Sequence, residues 1–191
     1  MFLQDGAHTL SGGGVGPDLG FSGGGSSANA QPINKPIIGI GFDSLGIFAA
    51  ELTYPDSSIR SGVNYAPNSI TIRDNNFNVI TTQALTAFDL VSNGKRTIRA
   101  RLGDYGRKVF VDFKNEGDTF FTHLLTQEVS LEISPGSRYR PGVTLVKPLI
   151  GTHTNGVIVT TGFHVEGNQS DATEEEFKFT LLIPFGFNNT S

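Results

Sequence analysis

Asp43 is the residue best placed to do chemistry: it closes the apolar run Ile37-Ile38-Gly39-Ile40-Gly41-Phe42 and enters the loop Ser44-Leu45-Gly46-Ile47-Phe48. A carboxylate at the end of a strand can reach a cation or a sugar hydroxyl. The same position equally suits an Asp whose side-chain oxygens cap the turn. The four histidines, His8, His123, His153 and His164, are too widely separated for a local zinc motif, and each reads as a surface or hydrogen-bonded side chain. Glu174-Glu175-Glu176 follows the hydrophilic stretch Asn168-Gln169-Ser170-Asp171 and reads as a solvated loop. With no Cys in the chain, thiol nucleophiles, thiolate metal sites and disulfides are excluded together. A Gly-x-Ser-x-Gly nucleophile motif is missing. Gly12-Gly13-Gly14-Val15-Gly16 lacks the strand before and helix after that would make it a phosphate cradle.

The elements that must position these groups are strands. Residues 37–43 read as a buried strand, with Gly where another backbone or a large side chain comes close. Alternation of apolar and polar residues predicts half-buried strands over 68–73, 97–102, 108–113 and 128–133. The second and third of these are joined by Gly103-Asp104-Tyr105-Gly106-Arg107, short and turn-rich enough for an antiparallel hairpin. Further strands are expected over 143–146, 157–160 and 177–185. The helical candidate is Thr81 to Leu90, which has Ala and Leu near the right spacing but also β-branched residues. Residues 1–36 are turn formers around Gly12-Gly13-Gly14 and Gly23-Gly24-Gly25, a long loop region or spacer. Many short strands with turn signals between them predict an all-β sandwich or barrel, and no internal repeat changes that reading.

Composition narrows the partners. A chain of 191 residues with 37% hydrophobic content can bury one sizeable core, so one compact unit is expected. The formal charge is −4, with Lys and Arg scattered, so the clustered positive charge that nucleic acid requires is lacking in the sequence. No apolar run approaches the roughly 18 residues of a spanning helix, which predicts a soluble chain without membrane insertion. Met1-Phe2-Leu3-Gln4-Asp5 has none of the features of a secretory signal.

The order of several motifs carries a resemblance. Phe2-Leu3-Gln4-Asp5, Gly12-Gly13-Gly14-Val15-Gly16, Ile38-Gly39-Ile40-Gly41-Phe42-Asp43-Ser44 and Pro67-Asn68-Ser69-Ile70-Thr71-Ile72-Arg73 succeed one another as in L-type, legume-lectin-like domains of the concanavalin A-like lectin/glucanase group. Pro141-Gly142-Val143-Thr144-Leu145, Gly151-Thr152-His153-Thr154-Asn155 and Val157-Ile158-Val159 up to Phe163-His164-Val165 are similar to that group's closing strands and sugar-site loop. The resemblance covers about residues 1–167. It implies an antiparallel jelly-roll β-sandwich over 37–167, with 1–36 as its Gly-rich loop region. Residues 168–191 become an acidic loop and C-terminal strand, and that strand or a neighbouring chain is expected to cover the sheet edge beside Met1-Phe2-Leu3.

The resemblance also implies a carbohydrate site. Gly13 and Gly14 would let the main chain approach a sugar, Asp43 would contact it, and Thr152, His153 and Asn155 would supply side-chain hydrogen bonds. A further sugar-binding Asp would lie before the Phe-Leu pair, at a position preceding Met1. The family's paired metal site would need a Glu, an Asn and a His where this chain has Gly41, Ile47 and Ser69. Asp43 is the one metal ligand that remains, so calcium binding is expected to be poor or absent and no other cofactor is implied. A glycoside hydrolase needs an acidic triplet on alternate positions, whereas Gly41 and Leu45 flank Asp43. The expected function is a non-catalytic carbohydrate-binding or adhesion domain meeting a glycan or glycoprotein, on a cell or virion surface or otherwise extracellular. The alternative is a structural or assembly domain of a virion or cell-surface appendage that has lost its sugar and metal sites, with homo-oligomer or larger assembly contacts through a sheet edge.

Overall fold

The computed structural model describes residues 2–7, 21, 35–49, 52–53, 58–59, 65–90, 94–103, 106–131, 139–142, 156–158, 164–168 and 178–189. The chain divides into two compact units, Met1–Leu90 with Pro135–Gly151, and Val91–Ser134 with Thr152–Ser191. Among the described residues every strand pairing is antiparallel. Helical structure among the described residues is confined to a 3-10 turn at Ile47–Ala49 and to Gly106, so the protein is mostly β-sheet there. Among the described residues no helix is long and apolar enough to cross a membrane.

In the first unit β1 (Phe2–Asp5), β2 (Pro36–Asp43), β5 (Ser69–Arg73), β6 (Val79–Ala84) and β10 (Tyr139–Gly142) form a sheet in the order β10-β1-β2-β5-β6. The short strands β3 (Leu52–Thr53) and β4 (Ser58–Ile59) pair with each other. Gly39 of β2 lies under Phe21, and a Cβ there would sit 2.7 Å from the ring, so the glycine makes room for a large side chain. Phe2, Phe21 and Phe48 are buried together with Phe77 against them, and edge-on contacts run from Phe21 to Phe48 and to Phe77. Edge-on rings bring a positive rim against a negative face.

β5 departs from the half-buried pattern that its alternation suggested, because Ser69, Thr71 and Arg73 are as buried as Ile70 and Ile72. Thr71 bonds Thr82 across the sheet. Arg73 donates from Nε and Nη2 to the Phe48 carbonyl at 3.1 and 2.6 Å and from Nη1 to the Phe77 carbonyl, with its guanidinium 4.8 Å from the Phe48 ring centroid. A buried cation is tolerable when its donors are engaged. The candidate helix at Thr81 to Leu90 is instead strand β6 followed by a loop. Asn68, at a positive φ of 51°, donates to the Leu85 and Phe88 carbonyls and accepts from Leu90 N–H, taking up main-chain groups that a helix would have used internally.

β1 lies between β2 and β10, so the position beside it belongs to β10 and not to the C-terminal strand. That strand, β13 (Lys178–Asn189), is in the second unit, where it pairs with β7 (Gly94–Gly103) from Phe179↔Leu102 to Phe187↔Gly94. The second sheet runs β11-β13-β7-β8-β9, with β11 (Gly156–Ile158), β8 (Lys108–Asn115) and β9 (Thr122–Glu128), while β12 (His164–Asn168) also pairs with β13. The expected hairpin is formed by β7 and β8. One face of it buries Ile98, Ala100 and Leu102 directly opposite Phe113, Val111 and Val109. Each large side chain in that layer contributes about 1.5 to 3 kcal/mol relative to exposure. The strand expected over 128–133 is displaced, because β9 ends at Glu128. The expected strand over 143–146 lies outside the described residues.

Candidate ligand-binding face

The period-two geometry that buries Ile98, Ala100 and Leu102 turns Arg99 and Arg101 to the other face of β7. On β8 it turns Phe110, Asp112 and Lys114 the same way. The register sets Arg99 opposite Asp112 and Arg101 opposite Phe110. On the far side of β8 a bulge at Val111/Asp112 pairs Val111 with Leu125 and Asp112 with His123, so Leu124 is the extra residue. The bulge brings His123 onto the same face as Asp112 while Leu125 remains buried.

Asp112 is the centre of this face. Its side chain is only 4% exposed, and both oxygens are engaged. Oδ2 accepts from Arg99 Nε at 2.9 Å and from Arg101 Nη2 and Nε at 3.1 and 3.3 Å, while Oδ1 faces His123 Nδ1 at 2.9 Å. Thr126 Oγ1 lies 3.0 Å from His123 Nε2. A neutral imidazole fits both contacts, donating Nδ1–H to the carboxylate and accepting the threonine hydroxyl at Nε2. Burial pushes the Asp112 carboxyl up, but the hydrogen bonds from His123 and Arg99 and the charges of Arg101 and Arg99 outweigh it, holding the group below its ordinary value. Asp112 is thus a carboxylate that organises its neighbours and is poorly suited to give or take a proton near neutrality.

Aromatic rings complete the face. The Arg99 guanidinium lies 4.0 Å from the Phe121 ring centroid, Lys114 Nζ 5.1 Å from the same centroid, and Arg101 5.1 Å from that of Phe110. Phe120, the residue before Phe121, is 82% exposed. The turn before it is fixed by Asp118, whose Oδ2 accepts from the Asn115 backbone N–H and side-chain amide, and by Gly117 at a φ of 92°. Hydrogen-bond donors and aromatic rings are therefore held side by side on the sheet, the kind of preorganisation that lowers the entropic cost of binding.

Of the residues that the motif order pointed to, Asp43 is placed at the end of β2 opposite Ser69. Its Oδ1 accepts from Leu45 N–H at 2.9 Å and its Oδ2 from Phe48 N–H at 2.6 Å, so the carboxylate caps the loop that leads into the 3-10 turn. Gly13, Gly14, Thr152, His153 and Asn155 lie outside the described residues. Among the described residues no three His, Asp or Glu side chains gather as a metal-binding group. The sequence reading gave Arg99, Arg101, Asp112 and His123 no chemical role. One signal was present for the first three, since closing the hairpin over Gly103 to Lys108 forces Arg99 to face Asp112. None existed for His123, which depends on the bulge. Comparison with family models, with curated proteins and with solved structures finds no match to this chain.

Proposed function

We propose that the protein is a non-catalytic carbohydrate-binding or adhesion domain and that the outward face of β7, β8 and β9 is a contact surface for its ligand. The observation that carries the reading is the Asp112-centred array, in which a buried carboxylate orients two arginines and a histidine beside aromatic rings. Sugars are recognised by fixed polar groups acting together with flat apolar surface, and this face supplies both. The motif order of the sequence supports the same class and brings with it the finer reading of the fold as a jelly-roll sandwich. Support for that finer reading is the antiparallel pairing throughout. The place of action is a cell or virion surface or another extracellular setting.

Calorimetry of the intact chain against neutral and acidic oligosaccharides, with and without calcium, tests the proposal. Binding that is independent of calcium and weakened by changes at Phe120 or Lys114 is expected. No heat with any saccharide at millimolar concentration would remove it. A second reading, an assembly role, is favoured by one observation: among the described residues β6 ends the path of the first sheet, and an outer strand can offer main-chain groups to a further strand. Light scattering that shows a stable oligomer without saccharide affinity would favour that reading.

A further inference from the structure

We infer that the outward face of β7, β8 and β9 selects an acidic saccharide, one bearing carboxylate or sulfate groups, over a neutral one of the same shape. The inference rests on the carbohydrate reading above and narrows it to a ligand class. Three cations, Arg99, Arg101 and Lys114, surround the single carboxylate of Asp112, which leaves +2 on this array in a chain whose formal charge is −4. Elsewhere on the hairpin Lys108 is in register with Glu128, so those two charges offset each other. In the adjoining turn, which also carries Glu116, the carboxylate of Asp118 is bonded to Asn115. Glu116 and Asp118 add two negative charges beside Lys114, so the selection rests on the remaining arginine donors and not on net charge.

The donor geometry makes this selection. Asp112 takes Nε of Arg99, and Nε and Nη2 of Arg101, which leaves both terminal nitrogens of Arg99 and Nη1 of Arg101 without a bond among the described residues. Those side chains are 29% and 40% exposed; Arg99 keeps a two-nitrogen fork and Arg101 a single terminal nitrogen. Guanidinium forks match carboxylate and sulfate oxygens better than single hydroxyls, because each fork presents parallel donors to two acceptors. A neutral pyranose would need an uncovered aromatic face instead. Phe121 and Phe110 already carry cations, and Phe120 is an exposed ring in the adjoining connection.

The test compares tetragalacturonic acid with its fully methyl-esterified form, which keeps the sugar and removes the charge, by calorimetry on the whole chain at low and high salt. At low salt the acid is expected to bind at least tenfold more tightly than the ester, and raising the salt should erase most of that difference. Lys114→Gln should weaken the acid about threefold to tenfold and leave the ester unchanged, whereas Phe120→Ala should weaken both. Neither variant removes a partner of Asp112, so both should fold. Equal affinity for acid and ester would overturn acid selection while leaving the carbohydrate reading intact. Binding of neither form, nor of any other saccharide, would overturn the carbohydrate reading itself. Equally tight binding of a short oligothymidylate would overturn the inference in favour of indiscriminate polyanion binding.

Discussion

Two inner strands of this protein each bury a charge, and they hold it in opposite ways. Arg73 of β5 is 1% exposed and is held by main-chain carbonyls of Phe48 and Phe77 and by the Phe48 ring. Asp112 of β8 is 3% exposed and is held by the side chains of Arg99, Arg101 and His123, themselves between 29% and 53% exposed. A charge satisfied by backbone fixes the chain around it, here tying the 3-10 turn to the β5–β6 connection. A charge satisfied by long side chains fixes those side chains and presents them outward. The first arrangement ties main chain together, and the second leaves oriented side chains at the surface, as the proposed recognition role requires.

The comparison breaks most visibly at Arg73. Replacement by Met keeps much of the volume but strips donors from two buried carbonyls, and should lower unfolding free energy by about 3 kcal/mol or more in urea denaturation. A change below about 1 kcal/mol would mean that those carbonyls find other donors and that the backbone-anchored charge has been misread. Next in size is Gly46→Ala. Gly46 has a φ of +77°, and an added Cβ would overlap the backbone of Ala66 and Pro67. The loop capped by Asp43 should lose about 2 kcal/mol, measured by the shift in denaturation midpoint.

The second charge is expected to matter less to folding and more to pH. Asp112→Asn should cost about 1 to 3 kcal/mol near neutrality, discounted toward the lower end because its partners reach solvent. The folded carboxyl lies below its ordinary value of 3.8, so its contribution is present above that value and is lost as pH falls through the lower folded value. The gap between wild type and Asp112→Asn should therefore stay constant down to about pH 4 and close in stronger acid. A gap that is unchanged in strong acid would exclude charge as its source. The smallest effect is expected at Phe120→Ser, within about 0.5 kcal/mol of wild type, because an 82% exposed ring contributes little packing. A larger loss would place Phe120 in the fold and remove it from the recognition surface.

Much of the strand inventory was legible in the residues. β2, β5, β7, β8 and β13 fall where apolar runs or alternation placed them, and the turn-rich Gly103 to Arg107 correctly joined β7 to β8. β9 was misplaced because its bulge puts Leu124 and Leu125 side by side and destroys the alternation. The Thr81 to Leu90 segment, with Ala and Leu near helical spacing, became a strand and a loop because β5 and Asn68 offered its main chain other partners. Asp43 proved to occupy the turn-capping role left open by its position. Of the candidate face, His123 was read as a surface or hydrogen-bonded side chain and Arg99, Arg101 and Asp112 only as members of half-buried strands, because their meaning lies in which strand sits beside which.

By itself the sequence determined that this chain builds antiparallel strands, that β7 and β8 form a hairpin, and that the glycines of residues 37–43 mark a close approach of backbone or a large side chain. These follow from local periodicity, turn chemistry and the absent side chain, all carried by neighbouring residues. Only tertiary structure decided that β10 lies beside β1, that Arg73 is buried rather than solvated, and that His123 meets Asp112 across a bulge. The physical reason is common to all three. Alternation of apolar and polar residues describes one strand, but the charge, burial and hydrogen bonding of a side chain depend on partners far away in sequence, and pairing settles those partners.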